Sequence, residues 1–352
     1  ERAFEAIRDR FDCGYRSVAI AFMHSYINPD HENIVAEIAK KIGYTQISVS
    51  SKTSKLIKLV GRGDTTVVDA YLSPILKRYI DQISKALKPG DESEKNLFFM
   101  QSSGGLVEAK MFQGKDAILS GPAGGVVGMV KTAGLAGFKR LIGFDMGGTS
   151  TDVCHFSGVF ERSFDTEVAG VRMRAPMMNI HTVAAGGGSI LSFKEGRYQV
   201  GPNSAGADPG PACYRKGGPL TVTDCNLLLG KLNLDYFPKI FGPNANETLD
   251  KQIVRKKFLE LSKEVALETG LKRLTPEETA EGFIRVAIQN MARAIKKISV
   301  ERGHNITEYT LNCFGGAGGQ HACMVADALR METVFLNAKE RAVALRMSFT
   351  QK

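Results

Sequence analysis

Two aspartates, Asp145 and Asp152, flank a short run of glycine and hydroxyl residues. That run consists of Gly147, Gly148, Thr149, Ser150 and Thr151. Backbone N–H groups beside glycine, together with a threonine hydroxyl, can donate to phosphate oxygens, while a nearby carboxylate holds Mg²⁺ directly or through water. The alternative is an ordinary β-hairpin with an exposed aspartate. We favour phosphate binding, because Asp-x-Gly-Gly-Thr followed three residues later by a second aspartate is a specific pattern.

A second glycine-rich segment follows an apolar strand further along the chain. Its residues are Gly315, Gly316, Ala317, Gly318 and Gly319. A strand that enters such a loop and then a helix presents N–H groups to an anionic or planar ligand. The segment is not a Walker A loop, since no Gly-Lys-Ser/Thr follows, and His321 stands where GxGxxG would end. In combination with the first motif, it is similar to the two-part nucleotide clamp of actin-like ATPases.

His181 and Asp208 are further candidates for a site. An imidazole and a carboxylate suit a divalent cation, so the two could jointly bind a metal or contact a substrate. Each also has a structural explanation, because Asp208 begins a Pro-Gly turn and His181 could simply hydrogen-bond a loop. The sequence leaves both interpretations open.

The elements that must position these residues begin with alternating short apolar runs and amphipathic stretches, which are typical of repeated β-α units. We predict strands at residues 17–23, 46–50 and 97–101. Asp30 is predicted to cap a helix between the first two strands. The inward face of that helix is predicted to consist of Ile34, Val35, Ile38 and Ile42. A longer helix is predicted over residues 65–87, with Pro74 kinking or dividing it.

Glycine clusters are expected at strand ends between residues 101 and 230, where glycine permits positive φ or the close approach of a ligand. The clusters lie at 104–105, 121–128, 147–148, 186–188 and 217–218. Five such clusters favour a ligand-binding role, although each alone also fits a tight turn.

The pattern becomes helical after Pro243. Thr275, Pro276 and Glu278 predict a capped helix start with proline at the first helical position, and helical spacing continues until Gly303. The chain is then predicted to close with a β-α-β unit. Its strand, helix and strand are expected at residues 310–314, 317–329 and 333–336.

Length and composition exclude several classes of protein. A chain of 352 residues favours two domains, and 43% hydrophobic with 24% charged residues is ordinary globular composition. The net charge of +9, from 46 Lys and Arg against 37 Asp and Glu, is scattered, so we expect no nucleic-acid partner. No apolar stretch is long enough to span a membrane. Six cysteines without a metal or redox spacing favour a reduced, cytoplasmic compartment.

Several long motifs occur in the order found in one known family. They lie at residues 120–125, 144–153, 181–189, 201–214 and 221–224. The chain therefore resembles the hydantoinase A / 5-oxoprolinase family over residues 17–336. Residues 215–218 and 318–323 are more similar to ATP-hydrolysing 5-oxoprolinases than to bacterial hydantoinases. The resemblance implies an α/β fold with actin-like ATPase (ribonuclease H-like) architecture and two α/β subdomains.

The resemblance also implies an enzyme that uses ATP and Mg²⁺ to open a stable cyclic amide, converting 5-oxo-L-proline to L-glutamate in the glutathione cycle. By matching position, Asp145 and Asp152 would be catalytic and hold Mg²⁺. Residues 147–151 would hold phosphate, and residues 315–319 would face the adenosine. The implied partners are a small cyclic amide and a hydantoinase B-like chain or domain. We expect a homo-oligomer and no membrane partner.

The chain departs from the family pattern in several places. Full-length relatives carry another Asp-x-Gly-Gly-Thr hairpin near their N-terminus, and this sequence contains one such motif, so the N-terminal phosphate hairpin is expected to be missing. Asn179 stands where many relatives have aspartate, and the residues after Lys339 do not match the family continuation. We therefore predict a remnant of the N-terminal domain at 1–60, an ATPase domain at 61–338 and a divergent tail at 339–352.

Three functions stay open. The first is an active cyclic amidase that completes its site with a partner chain. The second is a catalytically inactive, nucleotide-binding fragment. The third is an ATPase subunit that acts on a hydantoin, or on a ketone for carboxylation.

Overall fold

A computed structural model describes residues 1–87, 97–168, 170–242 and 244–336 of the protein. Contacts between residues divide the chain into two compact units. Unit 1 consists of Glu1–Val127 and Phe160–Asn179, and unit 2 consists of Gly128–Val159 and Ile180–Val343 as far as the latter is described. No helix within the described ranges is long and apolar enough to cross a membrane. The tail predicted at 339–352 lies outside the described residues.

Helices and strands alternate near both ends of the described chain, whereas the middle is a succession of strands, β5 to β13. The helices are α1 (Arg2–Asp12), α2 (Asp30–Ile42), α3 (Ser50–Thr53), α4 (Leu59–Ala86), α5 (Gly114–Ala117), α6 (Ser120–Leu135), α7 (Val222–Leu228), α8 (Lys251–Thr269), α9 (Pro276–Ile298) and α10 (Ala322–Leu329). The strands are β1 (Ser17–Ile20), β2 (Gln46–Val49), β3 (Phe98–Met100), β4 (Leu106–Glu108), β5 (Leu141–Met146), β6 (Thr151–Phe156), β7 (Arg162–Ser163), β8 (Thr166–Val168), β9 (Val171–Met173), β10 (Met177–Met178), β11 (Ile180–Val183), β12 (Ser189–Lys194), β13 (Arg197–Ser204), β14 (Thr310–Phe314) and β15 (Thr333–Leu336).

The β-α-β unit predicted at the start of the chain is present in unit 1. β1 and β2 pair in parallel, and α2 connects them. Both strands are shorter than predicted. The predicted inward face of α2 was wrong at Ile34, whose side chain is 59% exposed, whereas Glu32 is fully buried. Burial of Glu32 is tolerated because its carboxylate accepts hydrogen bonds from the N–H groups of Phe22 and Ser51, at 2.8 and 2.9 Å.

The long helix predicted over residues 65–87 forms as α4, which begins earlier and continues through Pro74 without dividing. Proline has no N–H, so the carbonyl four residues before it, that of Ala70, lacks its helical donor. The Ser17 hydroxyl donates to the Ala70 oxygen instead, at 2.5 Å. A contact distant in sequence therefore satisfies the group that proline leaves unpaired.

The glycine cluster at 121–128 lies inside α6 and not at a strand end, so that prediction was wrong. Glycine is a poor helix former, but tertiary packing overrides propensity when one face of a helix is buried. Ala123, Met129 and Ala133 of this helix have at most 1% of their surface exposed. The other residues of α6 therefore supply the packing that its glycines do not.

Unit 2 is built on a five-stranded sheet with the strand order β11-β6-β5-β14-β15. β5 and β6 form an antiparallel hairpin, while β14 and β15 extend the sheet in parallel. β5 is buried at every residue except Asp145, as expected of a central strand that is covered on both faces. The sheet therefore delivers the Asp145 carboxylate to its edge from an otherwise apolar strand.

The helix α9 fills the core of unit 2. Thr275 and Glu278 cap its start reciprocally, and Pro276 is its first residue, as predicted. The helix buries a continuous apolar face and contacts α7, α8 and α10. It ends at Ile298, earlier than predicted, and Gly303 at φ +84° instead ends a short 3-10 turn that follows.

The closing β-α-β unit is present, with β14 and β15 parallel to each other. Its helix, α10, begins at Ala322 and not at Ala317 as predicted. A 3-10 turn over Gly318–Gln320 separates the glycine segment from the helix. Most of the glycine segment is therefore a loop between β14 and α10.

Candidate functional site

The β5–β6 hairpin brings together the two aspartates identified in the sequence. Asp145 and Asp152 lie directly opposite each other in its register. We call the connecting residues, 147–150, the hairpin loop. The N–H of Gly147 donates to the Ser150 oxygen at 3.0 Å and closes this loop. Because cross-strand partners have neighbouring side chains, the two carboxylates can act on one ligand.

The hairpin loop has three successive N–H groups without an internal acceptor. The N–H groups of Gly148, Thr149 and Ser150 donate to no acceptor in the described ranges. Gly148 and Thr149 are exposed, and a Cβ built on Gly148 would meet no atom within 4 Å. Successive free N–H groups at a tight turn form a concavity suited to an anion. The loop therefore has the donors and the space that a phosphate group requires.

Thr151 has a different place from the one predicted for it. Its side chain is fully buried, and its hydroxyl donates to the Ala185 oxygen. A buried hydroxyl with an internal acceptor cannot face a ligand. The Thr151 side chain therefore anchors the hairpin to the neighbouring loop, and the exposed threonine hydroxyl of the hairpin loop is that of Thr149.

A second loop, residues 186–188, packs against the hairpin loop, and we call it the triple-glycine loop. The N–H groups of Gly187 and Gly188 donate to the oxygens of Gly147 and Gly148, at 3.1 and 2.6 Å. A Cβ on Gly186 would lie 2.5 Å from the carbonyl carbon of Thr149. Only glycine permits this approach of two backbones, so the triple-glycine loop fixes the shape of the hairpin loop.

The glycine segment at 315–319, which we call the terminal glycine loop, also contacts this hairpin. The N–H of Ala317 donates to the Met146 oxygen at 2.9 Å. Gly315 has φ +84°, and a Cβ there would overlap Asp145 Oδ1. The two motifs predicted to form one site are therefore neighbours in the structure. Gly315, Gly316 and Gly319 are exposed, whereas Gly318 is buried.

The two aspartates differ in their surroundings. Burial, and then the negative charge of Asp152, raises the pKa of Asp145 from 3.8 to about 6. The Thr182 hydroxyl on β11 donates to Asp152 Oδ1 at 2.5 Å. Thr182 and Asp152 are directly opposite each other in the register of β11 and β6. Asp152 is therefore held in place by a hydroxyl, whereas Asp145 retains its proton to a higher pH than an ordinary aspartate.

His181 and Asp208 are not joined by a hydrogen bond or an ion pair in the part of the chain that the structure describes. The side chain of Asp208 is 84% exposed and forms an ion pair with Lys216 at 3.3 Å. Burial lowers the pKa of His181, and the positive charges of Lys297 and Arg302 lower it further. No contact between these two residues in the described structure supports the joint site predicted for them.

Thr223 and Thr182 were not among the site residues predicted from the sequence. The N–H and the hydroxyl of Thr223 both donate to the Gly187 oxygen, at 2.7 and 2.8 Å. Both threonines act across distant segments, so local spacing contains no signal for them. The cluster at 186–188 was visible in the sequence, but its contact with the hairpin loop was not.

These parts together form a surface suited to an anion and a cation at once. Free N–H groups and the exposed Thr149 hydroxyl can donate to phosphate oxygens. Beside them, two carboxylates can accept a metal ion or a proton. The terminal glycine loop adds further exposed backbone next to Asp145.

Comparison with protein families gives two matches. A family model described as Hydantoinase/oxoprolinase matches residues 62–349, and a model of the hydantoinase/oxoprolinase N-terminal region matches residues 1–43. The chain is 51% identical over 330 residues to a 5-oxoprolinase of Saccharomyces cerevisiae, covering 92% of this chain and 25% of that protein. It is 47% identical over 340 residues to a 5-oxoprolinase of Dictyostelium discoideum, covering 92% of this chain and 27% of that protein.

Solved structures also match this chain. The crystal structure of ATP-dependent caprolactamase from Pseudomonas jessenii matches with a TM-score of 0.78 and 31% identity, over 98% of this chain and 50% of that chain. A nucleotide-free acetone carboxylase structure matches with a TM-score of 0.76 and 26% identity, over 97% of this chain and 48% of that chain. The chain thus spans about a quarter of the length of its 5-oxoprolinase relatives and half of each structural match.

Proposed function

The chain belongs to the hydantoinase/oxoprolinase family, and we propose that it is the ATP-binding part of an enzyme that hydrolyses 5-oxo-L-proline to L-glutamate. The observation that carries this proposal is the hairpin loop. It offers three free N–H groups beside a carboxylate pair, and the terminal glycine loop adjoins it. The identity to 5-oxoprolinases supports this substrate in preference to other cyclic amides.

Each part of the site has a proposed role. The N–H groups of Gly148, Thr149 and Ser150 and the Thr149 hydroxyl would hold phosphate oxygens, and Gly147 would shape the turn. The terminal glycine loop would lie along the adenosine, as in an actin-like ATPase. His181 keeps only a predicted role near substrate, without a contact that supports it.

The residues present also fit Mg²⁺. Asp145 and Asp152 offer carboxylate oxygens, which Mg²⁺ prefers, from opposite positions of one hairpin. A cation between them would also offset the charge repulsion that contributes to the raised pKa of Asp145. When bound, Mg²⁺ would neutralise charge on the nucleotide phosphates.

In the proposed reaction, the amide oxygen of 5-oxoproline attacks the γ-phosphorus of ATP, and the bond from that phosphorus to ADP breaks. Water then adds to the activated carbon and the C–N bond opens, with a proton passing to the nitrogen, which leaves an acyl phosphate of glutamate. A second water hydrolyses this acyl phosphate to inorganic phosphate and the side-chain carboxylate of glutamate. This chain would hold the phosphates and align them for the first step. Without a bound cation, the pKa of Asp145 is about 6, so in a metal-free site this carboxylate could accept a proton near neutral pH.

The other parts of the enzyme are also proposals. Because the chain spans about a quarter of its 5-oxoprolinase relatives, we place ring opening in a hydantoinase B-like chain or domain. The ATPase domain at 61–338, a homo-oligomeric assembly and a cytoplasmic location stay predictions.

Calorimetry tests the proposal. We expect the wild-type chain to bind AMP-PNP with Mg²⁺, and to bind it more tightly when 5-oxoproline is present, because linked ligands favour each other. Gly148→Val should weaken AMP-PNP by about tenfold or more, because the new side chain occupies the phosphate position. Its apo melting temperature should not change, since the site of the new Cβ is empty. Equal affinity in Gly148→Val and wild type would refute the phosphate site.

Gly134→Ala is the matched control for that substitution. Gly134 lies in α6 and, like Gly148, has no atom within 4 Å of an added Cβ. We expect this variant to bind AMP-PNP like the wild type.

A second candidate function follows from the structural matches. Caprolactamase opens a larger lactam and acetone carboxylase acts on a ketone, as their names state, and both share this fold. The same titration should therefore be repeated with caprolactam, hydantoin or acetone in place of 5-oxoproline. A tightening of AMP-PNP by one of these and not by 5-oxoproline would favour the second function. Nucleotide binding that no substrate affects would favour an inactive fragment.

A further inference from the structure

Through residues on one of its faces, the short helix α7 contacts the triple-glycine loop and also Gln320 and His321, which directly follow the terminal glycine loop. We call these two residues the end of the terminal glycine loop. Near its start, Thr223 donates twice to the Gly187 oxygen of the triple-glycine loop. Three residues later, Asn226 Nδ2 donates to Gln320 Oε1 at 2.6 Å and lies 3.0 Å from His321 Nε2. Residues three apart lie on the same side of a helix. The helix is therefore a spacer between the triple-glycine loop and the end of the terminal glycine loop.

The position of α7 is fixed independently of both loops. Asp224 is fully buried and accepts hydrogen bonds from the N–H groups of Ala212, Cys213 and Thr221. The Thr221 hydroxyl donates to the same carboxylate at 3.0 Å. A helix held by so many bonds does not adjust when a contacting loop moves, so it can set the distance between the two loops.

The contact at the far end of α7 leaves buried polar atoms unpaired. Asn226 and His321 are both fully buried, and Asn226 Oδ1 and His321 Nδ1 have no hydrogen-bond partner within the described ranges. Burial, and then the charge of Lys231, lowers the pKa of His321 to about 4, so its ring is neutral. Unpaired buried atoms destabilise a fold, and they call for a specific reason. Here, the reason is the position of the loop that these side chains hold.

We propose that Asn226 is a positioning residue that holds the end of the terminal glycine loop and thereby sets affinity for the nucleoside end of a nucleotide. This inference rests on the proposed function. The phosphate end of the site does not depend on Asn226, because Gly187 and Gly188 hold the hairpin loop and Thr223 holds Gly187. The first part of the terminal glycine loop is held separately, because the N–H of Ala317 donates to the Met146 oxygen. Lys231 Nζ also donates to the Gln320 backbone oxygen at 3.1 Å, so loss of Asn226 loosens the end of that loop without freeing it completely.

The experiment compares two ligands that share their phosphates. AMP-PNP carries a nucleoside and inorganic tripolyphosphate does not, and both are titrated with Mg²⁺ into the full chain by calorimetry. We expect Asn226→Ala to weaken AMP-PNP by about tenfold while tripolyphosphate changes by less than about twofold. Thr223→Val, by contrast, should weaken both ligands in parallel, because it removes the hydroxyl hydrogen bond to Gly187 and leaves the triple-glycine loop held there by the backbone N–H alone.

Gln320→Ala provides a second test, because Gln320 is only partly buried and its truncation creates no buried cavity. It should reproduce the selective loss for AMP-PNP, and the double variant should lose no more than Asn226→Ala alone. An equal loss of affinity for both ligands in Asn226→Ala and Gln320→Ala would overturn the inference. An unchanged affinity for AMP-PNP in these variants would overturn it too. Neither result would contradict the proposed phosphate site. If the wild type binds neither ligand, the proposed function fails and the inference fails with it.

Discussion

In the candidate site, the surroundings of Asp145 disfavour the ionised form of its carboxyl group. It ends a buried strand and faces Asp152, and both burial and that neighbouring charge raise its pKa to about 6. A carboxyl whose pKa is raised on folding binds its proton more tightly in the folded state than in the unfolded one. The folded protein therefore loses stability as pH rises from about 4 to about 6.

Asp145→Asn should remove this loss. The amide does not ionise, so the variant should be at least as stable as the wild type at pH 7, with a smaller decline between pH 4 and pH 7. Urea unfolding without nucleotide, repeated across that range, measures the effect. Asp208→Asn serves as control, because that side chain is 84% exposed, and its pH profile should follow the wild type. A profile of Asp145→Asn that coincides with the wild type would contradict the shift.

His321 should act in the opposite direction over an overlapping range. Burial lowers its pKa to about 4, so the unfolded chain binds a proton at this residue more tightly than the folded protein. Its contribution to stability is present above about pH 6.5 and is lost as pH falls towards 4. His321→Gln should flatten that part of the unfolding profile. His31→Gln, at an exposed position, is the control and should leave the profile unchanged.

At the residue scale, the sequence identified the candidate site residues but not those that hold them in place. Asp145, Asp152 and the exposed glycines of the hairpin loop were identified because acid, glycine and hydroxyl types recur at a specific spacing. Thr151 has the same residue type as Thr149, yet its hydroxyl faces inward to Ala185. Thr149 lies in the hairpin loop and is exposed, whereas Thr151 is the buried first residue of β6, so the point at which the loop ends decides which hydroxyl is accessible, and residue type alone does not.

At the scale of elements, the glycine loops matter because they pack backbone against backbone. A Cβ on Gly186 would lie 2.5 to 2.7 Å from three backbone atoms of Thr149 and Ser150. Backbone atoms cannot rotate away as the end of a flexible side chain can. The two loops would therefore have to separate if this position carried any side chain.

Gly186→Ala should accordingly destabilise the protein by about 1–3 kcal/mol and displace the hairpin loop. Gly148→Ala tests the same substitution where an added Cβ has open space, and its free energy of unfolding should match the wild type. Urea unfolding of both variants at one pH measures the difference. Equal stability of the two variants would show that the triple-glycine loop does not constrain the hairpin loop.

The elements were predicted best where a local signal is complete within a few residues. The capping box at Thr275 and the hairpin around residues 147–150 are such cases. Predictions failed where a distant partner decides the outcome. The helix α4 passes through Pro74 because Ser17 supplies a donor to Ala70, and α6 tolerates its glycines because other faces of the helix are buried.

At the scale of the whole molecule, the sequence predicted an α/β protein of two subdomains, but not which separated segments of the chain make up each unit. Unit 1 contains Phe160–Asn179, a segment that follows two strands of unit 2 in the chain. Periodicity is read along the chain and cannot reveal which separated segments pack together. Every contact that defines the candidate site nevertheless belongs to unit 2, which makes a prediction for the molecule as a whole.

Hydrogen exchange should therefore locate nucleotide binding within unit 2. The amides of Gly148, Thr149 and Ser150 have no internal acceptor and should exchange fast in the free protein. Mg²⁺ with AMP-PNP should slow them by about tenfold or more, because phosphate oxygens become their acceptors. Smaller protection should reach the triple-glycine and terminal glycine loops, while amides of unit 1 keep their rates.

Two comparisons make this measurement decisive. Mg²⁺ alone should leave the hairpin-loop amides fast, because a cation accepts no hydrogen bond. Gly148→Val with Mg²⁺ and AMP-PNP should also leave them fast, since the new side chain excludes phosphate from an otherwise intact loop. Protection of unit 1 without protection of the hairpin loop would place the nucleotide elsewhere in the chain. Protection centred on residues 148–150 would mean that one hairpin, without a second phosphate hairpin opposite it, is sufficient to hold the ligand.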